Sequence, residues 1–365
     1  MTAMKPALDL LIDANVVLVL AFCLWRMTHA MLGRSALRHD YSRQLLLLKL
    51  VLLITIISPL IALVGLTIGQ ALAPKTPLTI SDIAVAAYLR GEISIPAVEF
   101  EALLNTRDRW IDAALESQSV WMAATKVAFA LVLTFFALRM AWSLWRVKRV
   151  LDGSFLWRRT RSVDIRVSDT VGIPFAARGI FRRHVVLPSA LLTRPRELKV
   201  VLAHEFEHVR SGDVEWEIAI ELIRPLLFWN PAFFLWKRSF DQLRELSCDQ
   251  KVIVARRISP HEYARCLLDF CERRLSGRWP RIMNVALVRS DAWSARRTFE
   301  ARIRAMYHAP SGGGRAWMCG TVAILAVGVS LAAASVRKPG DWSHDRLMLS
   351  TIVNLERLEA INRGN

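Results

Sequence analysis

The chain is short of cysteine, of repetition and of acidic residues, and each shortage removes a class of protein. Only five of its 365 residues are Cys, and none lies within 73–118 or beyond residue 336. A disulfide framework of the secreted kind therefore has no basis. No internal repeat or long low-complexity tract appears, which excludes solenoids and fibrous arrays. Asp and Glu number 32 against 49 Lys and Arg, for a net charge of +17. Such a surplus suits nucleic acid, yet nothing resembles a reading helix or a ribonucleoprotein sheet motif. The cluster Arg146, Lys148, Arg149, Arg158, Arg159 and Arg161 directly follows an apolar run. That placement fits anionic lipid headgroups, and no direct nucleic-acid contact is expected.

What the chain has in plenty is apolar sequence, at 53% of residues. Four segments are apolar enough to span a bilayer: about Leu10–Met27, Leu45–Leu72, Val120–Trp145 and Ala316–Val336. Asp9 and Asp13 argue against reading the first as a cleaved signal peptide, which needs a basic leader. The loops set an orientation. Arg26, Arg34, Arg38 and Arg43 stand between the first two segments, opposed only by Asp40. Residues 73–118 hold four Lys/Arg and seven Asp/Glu, whereas 146–315 hold 32 and 18. By the positive-inside rule the first loop and residues 146–315 are cytoplasmic. The N-terminus, the acidic loop at 73–118 and the tail at 337–365 are then outside. The apolar run Ile218–Trp236 contains Glu221, Arg224 and Pro225, so it is read as packing on the membrane face rather than crossing, with Trp229 and Trp236 at the interface.

Five residues carry the chemistry: His204-Glu205-Phe206-Glu207-His208. Two His four apart lie one turn above each other on a helix and can close on one zinc ion. Glu205 then sits beside the metal, placed to take a proton from the attacking water and pass it to a leaving amine. An amphipathic helix with two solvated His is the plainer alternative. Pro195 and Glu197 suit a helix start, Leu198, Val201, Leu202 and Phe206 recur at helical spacing, and Gly212 suits a stop. A hydrolytic zinc takes a third protein ligand. Glu207 is on a different side of the helix, Asp213 lies past the Gly212 break, and Glu221 has an apolar setting. Glu245 is the better candidate. The Asn230-Pro231 break lets the chain fold back, and Glu245 and Asp249 share a face of the next helix. Asp249 is then placed to accept the outer N–H of a ligating His.

The pentad, Asn230-Pro231 and Arg244-Glu245-Leu246-Ser247-Cys248-Asp249, in that order, resemble the integral membrane metallopeptidases of the BlaR/MecR antirepressor type. The stretch Gly172–Leu187 is similar to the hairpin before the zinc helix in that family, and the likeness runs from about Val163 to Ala305. It implies an α+β protein: a polytopic helical membrane protein with a cytoplasmic gluzincin-like zinc metalloprotease domain made of a small antiparallel sheet plus helices. The expected domains are three spans in 1–145, the protease domain in 146–315, a fourth span in 316–336 and an outside tail in 337–365. The resemblance also implies one zinc per chain on His204, His208 and Glu245, with Glu205 as general base. Cys248, close by, reads as small packing, because a carboxylate one turn before Asp249 matches the family arrangement.

Val163–Ser168 alternates and reads as a strand, with Val171–Ala177 and His184–Leu187 as two more around a turn at Arg178–Arg183. Phe175, Ala176, Ala177, Arg178 and Gly179 are a candidate edge for an extended substrate; a hairpin that only covers the helices fits equally. Ser259-Pro260-His261-Glu262 is a helix start, and a last cytoplasmic helix runs from about Ala292 to Met306. By resemblance the chain is a bacterial inner-membrane endopeptidase that cleaves a cytoplasmic protein, a transcriptional repressor, when a signal arrives. The large penicillin-binding sensor domain of the sensor-transducers has no counterpart in residues 337–365. A membrane quality-control protease and a non-catalytic receptor on the same scaffold are the competing readings.

Overall fold

The computed structural model describes residues 4–35, 37–72, 85, 88–104, 106, 120–179, 181–256, 258–275, 292–308, 320–325, 327–329 and 344–363. In chain order the elements are α1 (Met4–Leu32), α2 (Tyr41–Leu72), α3 (Ala97–Leu104), α4 (Val120–Asp152), β1 (Phe155–Arg159), β2 (Val163–Ser168), β3 (Phe175–Arg178) and β4 (Arg183–Pro188). A single 3-10 turn at Ser189–Leu191 leads to α5 (Pro195–Arg210), α6 (Asp213–Leu227), α7 (Pro231–Arg256), α8 (Pro260–Leu275), α9 (Ala292–Met306) and α10 (His344–Arg363). Two compact units result: Met1–Thr28 with Lys49–Phe129 and Cys319–Asn365, and His29–Leu48 with Ala130–Met318.

In the first unit, Leu11–Leu32 belongs to one of two stretches among the described residues long and apolar enough to cross a bilayer; the other is Ala123–Asp152. The expected second span lies inside the continuous helix α2, and most of the expected fourth lies outside the described residues. Helix α3 packs on α10 through Val85, Ala97, Phe100, Leu349 and Val353. Glu356 of α10 accepts hydrogen bonds from the Ala97 and Val98 N–H groups at 2.9 and 3.3 Å. These are donors that the first turn of α3 cannot satisfy itself, and the carboxylate also meets the positive end of the helix dipole.

The second unit is built on a four-stranded sheet in the order β1-β2-β4-β3. The sheet is mixed, which corrects the expected antiparallel one: β2 and β4 pair parallel, while β1–β2 and β3–β4 are antiparallel. The chain leaves β2, crosses to the far edge to form β3, and hairpins back as β4 in the direction of β2. Strand β2 is central and buried along nearly its whole length, so its core side is not limited to alternate residues. Val163, Ile165, Val185 and Leu187 meet Val201 and Val209 of α5, with Leu198, Leu202 and Phe206 packed alongside. That contact fixes α5, which carries His204 and His208, on the sheet.

Pro195 opens α5 as expected, with Arg194 at the N-cap. Gly212 takes a left-handed φ of 67° and turns the chain into α6. Asn230 closes the next turn by accepting from the Ala232 N–H at 3.0 Å. The run Ile218–Trp236 is thus two helices with a break. Trp229 is exposed, but Trp236 is fully buried in the core and not at an interface. The start of α2 and the turn before it dock on α7: Ser42 Oγ lies 3.0 Å from Ser247 Oγ, and Gln250 donates to the His39 carbonyl at 2.7 Å.

Candidate metal centre

His204 and His208 project from one face of α5, with their Nε2 atoms 3.0 Å apart. Each outer nitrogen has an oxygen partner. His208 Nδ1 lies 2.9 Å from Asp213 Oδ2. His204 Nδ1 lies 2.8 Å from the Tyr263 hydroxyl and 3.4 Å from Asp249 Oδ1. With the outer nitrogens engaged as donors, both Nε2 lone pairs face one point, where a cation or a proton must separate them.

Helix α7 brings Glu245 to that point. Its Oε2 is 3.7 Å from His204 Nε2, and its Oε1 is 3.8 Å from His208 Nε2. Ligand atoms bonded to one tetrahedral zinc are about 3.3 Å apart; the two Nε2 atoms stand 3.0 Å apart, and each has a different Glu245 oxygen somewhat wider, at 3.7 and 3.8 Å. Cys248 Sγ also lies within 4.8 Å of ligand atoms on both His. It stands, however, 3.4 Å from His204 Nδ1, on the far side of that ring, and donates to the His204 carbonyl at 3.4 Å. Beside the two Nε2 atoms the structure thus offers two candidate third ligands for a divalent metal, the Glu245 carboxylate and the Cys248 thiol. Cys248 is more than packing, since it supports the back of His204.

Arg302 of α9 binds both acids, with Nη1 3.1 Å from Glu245 Oε2 and Nε and Nη2 at 2.7 and 2.8 Å from the two Asp249 oxygens. Tyr263 donates to Asp249 Oδ1 at 2.7 Å. Burial alone would raise the Glu245 carboxyl, but Arg302, His204 and His208 outweigh it and hold the group well below the usual range. Asp249 shows the same balance, burial against Arg302, and falls to about 2. Burial would lower His208; Cys248 and the Asp213 hydrogen bond overcome it and lift His208 to about 10. Both directions describe a pocket that stabilises positive charge between the imidazoles.

Glu205, adjacent in sequence to His204, is largely buried on α5. Phe175–Arg178 is β3, an edge strand of the sheet, and it packs beside α5 and α6. Arg178 pairs with Glu215 of α6 at 3.1 Å. Gly179 closes the following turn, where an added Cβ would come within 2.6 Å of the His184 ring. The structure thus brings His204, His208, Glu245 and Asp249 together and puts the candidate substrate edge beside the same helix. Sequence reasoning missed Asp213 as the partner of His208, and it missed Tyr263 and Arg302 altogether. For Asp213 a signal existed, an acid five residues after a ligating His at the next helix start.

A family model described as BlaR1 peptidase M56 matches residues 8–286. Among characterised proteins, the methicillin resistance mecR1 proteins of Staphylococcus aureus and Staphylococcus epidermidis are 24% identical over 107 residues, 29% of this chain. That match spans 18% of the relatives' own length.

Proposed function

The chain belongs to the BlaR1 peptidase M56 family, and from that premise we propose that it is a membrane-embedded, zinc-dependent endopeptidase. His204, His208 and Glu245 hold the metal, and Glu205 is the general base. The observation that carries this reading is the convergence of two Nε2 atoms and one carboxylate whose outer partners are already engaged. Bound there, zinc would polarise the scissile carbonyl and make water a competent nucleophile near neutral pH. Glu205 accepts the proton of the attacking water and returns it to the leaving amine. Asp213 and Tyr263 fix the ring orientation of the two His, and Asp249 holds Tyr263 in place. An extended substrate lies along Phe175–Gly179 as an added strand, bonded through the free edge of β3.

The substrate is a cytoplasmic protein, and by resemblance a transcriptional repressor cut in response to a signal. The protein sits in a lipid bilayer through α1, α2, α4 and the segment around Ala316–Val336, with residues 146–315 on the cytoplasmic side. Glu205→Gln tests the mechanism: it should keep one zinc per chain and lose proteolysis by at least about a hundredfold. Unchanged cleavage would sink the role given to Glu205. Glu245→Gln should lower metal content while Cys248→Ser retains it; the reverse pattern would move the third ligand to Cys248.

A further inference from the structure

Outside the metal centre the most demanding feature is a buried run of alternating charges that the mechanism does not use. It begins at Arg139, inside the apolar stretch Ala123–Asp152 of α4, where Leu138 and Trp142 are exposed. An ionised side chain in such a stretch requires a partner. Arg139 Nη2 meets Glu221 Oε2 of α6 at 3.2 Å, an oxygen that Arg224 of the same helix also binds at 2.6 Å, in a cleft lined by Phe136, Met140, Ser143 and Ile218. Glu221 Oε1 faces Lys237 of α7 at 3.6 Å. Lys237 also binds Glu217 Oε1 in a short contact, and Glu217 Oε2 accepts from Arg244 Nη1 at 3.1 Å. Arg244 Nη2 then reaches Glu245 Oε1 at 3.4 Å. The sign alternates at every link, from a membrane-type helix to a proposed metal ligand.

Lys237 and Glu217 are only 7% and 8% exposed at the side chain, and Glu221 10%. Buried ion pairs seldom stabilise a fold better than aliphatic packing would, so stability alone is a poor reason to keep three of them in one line. The geometry offers a better one. Arg244 holds Glu217 and Glu245 with its two terminal nitrogens, while its buried Nε has no partner among the described residues. Any shift of Glu217 is therefore passed to Glu245 through one rigid guanidinium plane.

Resting on the reading of Glu245 as a metal ligand, we propose that Glu221, Lys237, Glu217 and Arg244 are positioning residues that tie the Glu245 carboxylate to Arg139 of α4. A displacement of α4 against α6 changes the pull on Glu221 and, through the alternating pairs, the way Glu245 holds the metal. This is coupling through a contiguous set of ion pairs, with two arrangements of α4 as its two states.

The test uses the full chain in lipid nanodiscs, loaded with Co(II) in place of zinc, and reads the visible d–d spectrum and the metal dissociation constant. Arg139→Leu and Glu217→Gln should both shift the spectrum and weaken metal binding by about tenfold, the effect expected for loss of an outer-shell partner. Arg139→Lys should restore the wild-type spectrum. The double variant Glu217→Gln/Lys237→Met removes the middle link with no charge left unpaired between them, and it decides the matter if a single variant does not fold. Folded variants with wild-type spectra and affinity overturn the proposal. Glu245→Gln separates the two ideas. If it too leaves the spectrum unchanged, the ligand assignment has failed; if it alone changes the spectrum, only the coupling has failed.

Discussion

At the scale of single residues, the centre is governed by what surrounds the proposed ligands. The pentad and Glu245 were legible because helical spacing and one chain reversal dictate their meeting. Arg302 and Tyr263 were not. An arginine among 49 basic residues carries no mark of its partner until the fold brings α9 to α7. Tyr263 sits on the apolar side of α8 and looks like any core aromatic there. Arg302 nevertheless neutralises the buried Asp249 and the partly buried Glu245 at once, so Arg302→Met should cost about 3–5 kcal/mol of stability at pH 7, the penalty for stranding a buried charge. The sign of the pH effect follows from Asp249. Its folded pKa is depressed to about 2, so its contribution of about 2 kcal/mol is complete above the unfolded value near 3.9 and is lost as pH falls through about 2. In metal-free protein, the gap between wild type and Arg302→Met should therefore be widest at neutral pH and close as the solution is acidified. Thermal unfolding in detergent at pH 7 and at about pH 2 measures it, and a gap that widens on acidification would show that Arg302 does not act through these acids.

At the scale of elements, the helices were read well and the sheet less so. Helix starts and stops rest on local chemistry, such as Pro195, Gly212, Asn230 and the Ser259 turn before α8. The direction in which β4 pairs with β2 depends instead on where the chain goes between them, and no local pattern records that. Strand β1 escaped notice because Phe155–Arg159 is exposed along its whole length and lacks alternation. It is held by backbone pairing with β2, including an irregular step between Leu156 and Arg158. The sheet matters to function because it seats α5. Leu187, fully buried between β4 and that helix, should therefore couple stability to metal binding. Leu187→Ala should cost about 2–5 kcal/mol and lower zinc retention in proportion, read by unfolding with and without added zinc. A large loss of stability with no change in retention would mean that the sheet does not set the geometry of α5.

At the scale of the whole molecule, two contacts bear on how often the chain crosses the bilayer. The start of α2 and the turn before it touch α7, through Ser42 and Ser247 at 3.0 Å and Gln250 and His39 at 2.7 Å. Helix α3 touches α10, through Glu356 and Ala97 at 2.9 Å. Parts of a chain that touch outside the hydrocarbon must be on one side of it, so an even number of crossings separates each pair. If only Leu11–Leu32 and Ala123–Asp152 crossed, residue 42 would be on the opposite side from residue 247, and residue 97 from residue 356. Both contacts would be met by the proposed four-span topology, in which α2 crosses as well and one more crossing falls between residues 308 and 344. Arginine counts in the loops set the orientation proposed for those crossings. The expectation is that reporter fusions at Ser35 and Gly153 give a cytoplasmic signal, and that fusions at Asn105 and Asn365 give an external one. Either pair split between compartments would break the parity argument, and Gly153 agreeing with Asn105 would remove α4 from the membrane.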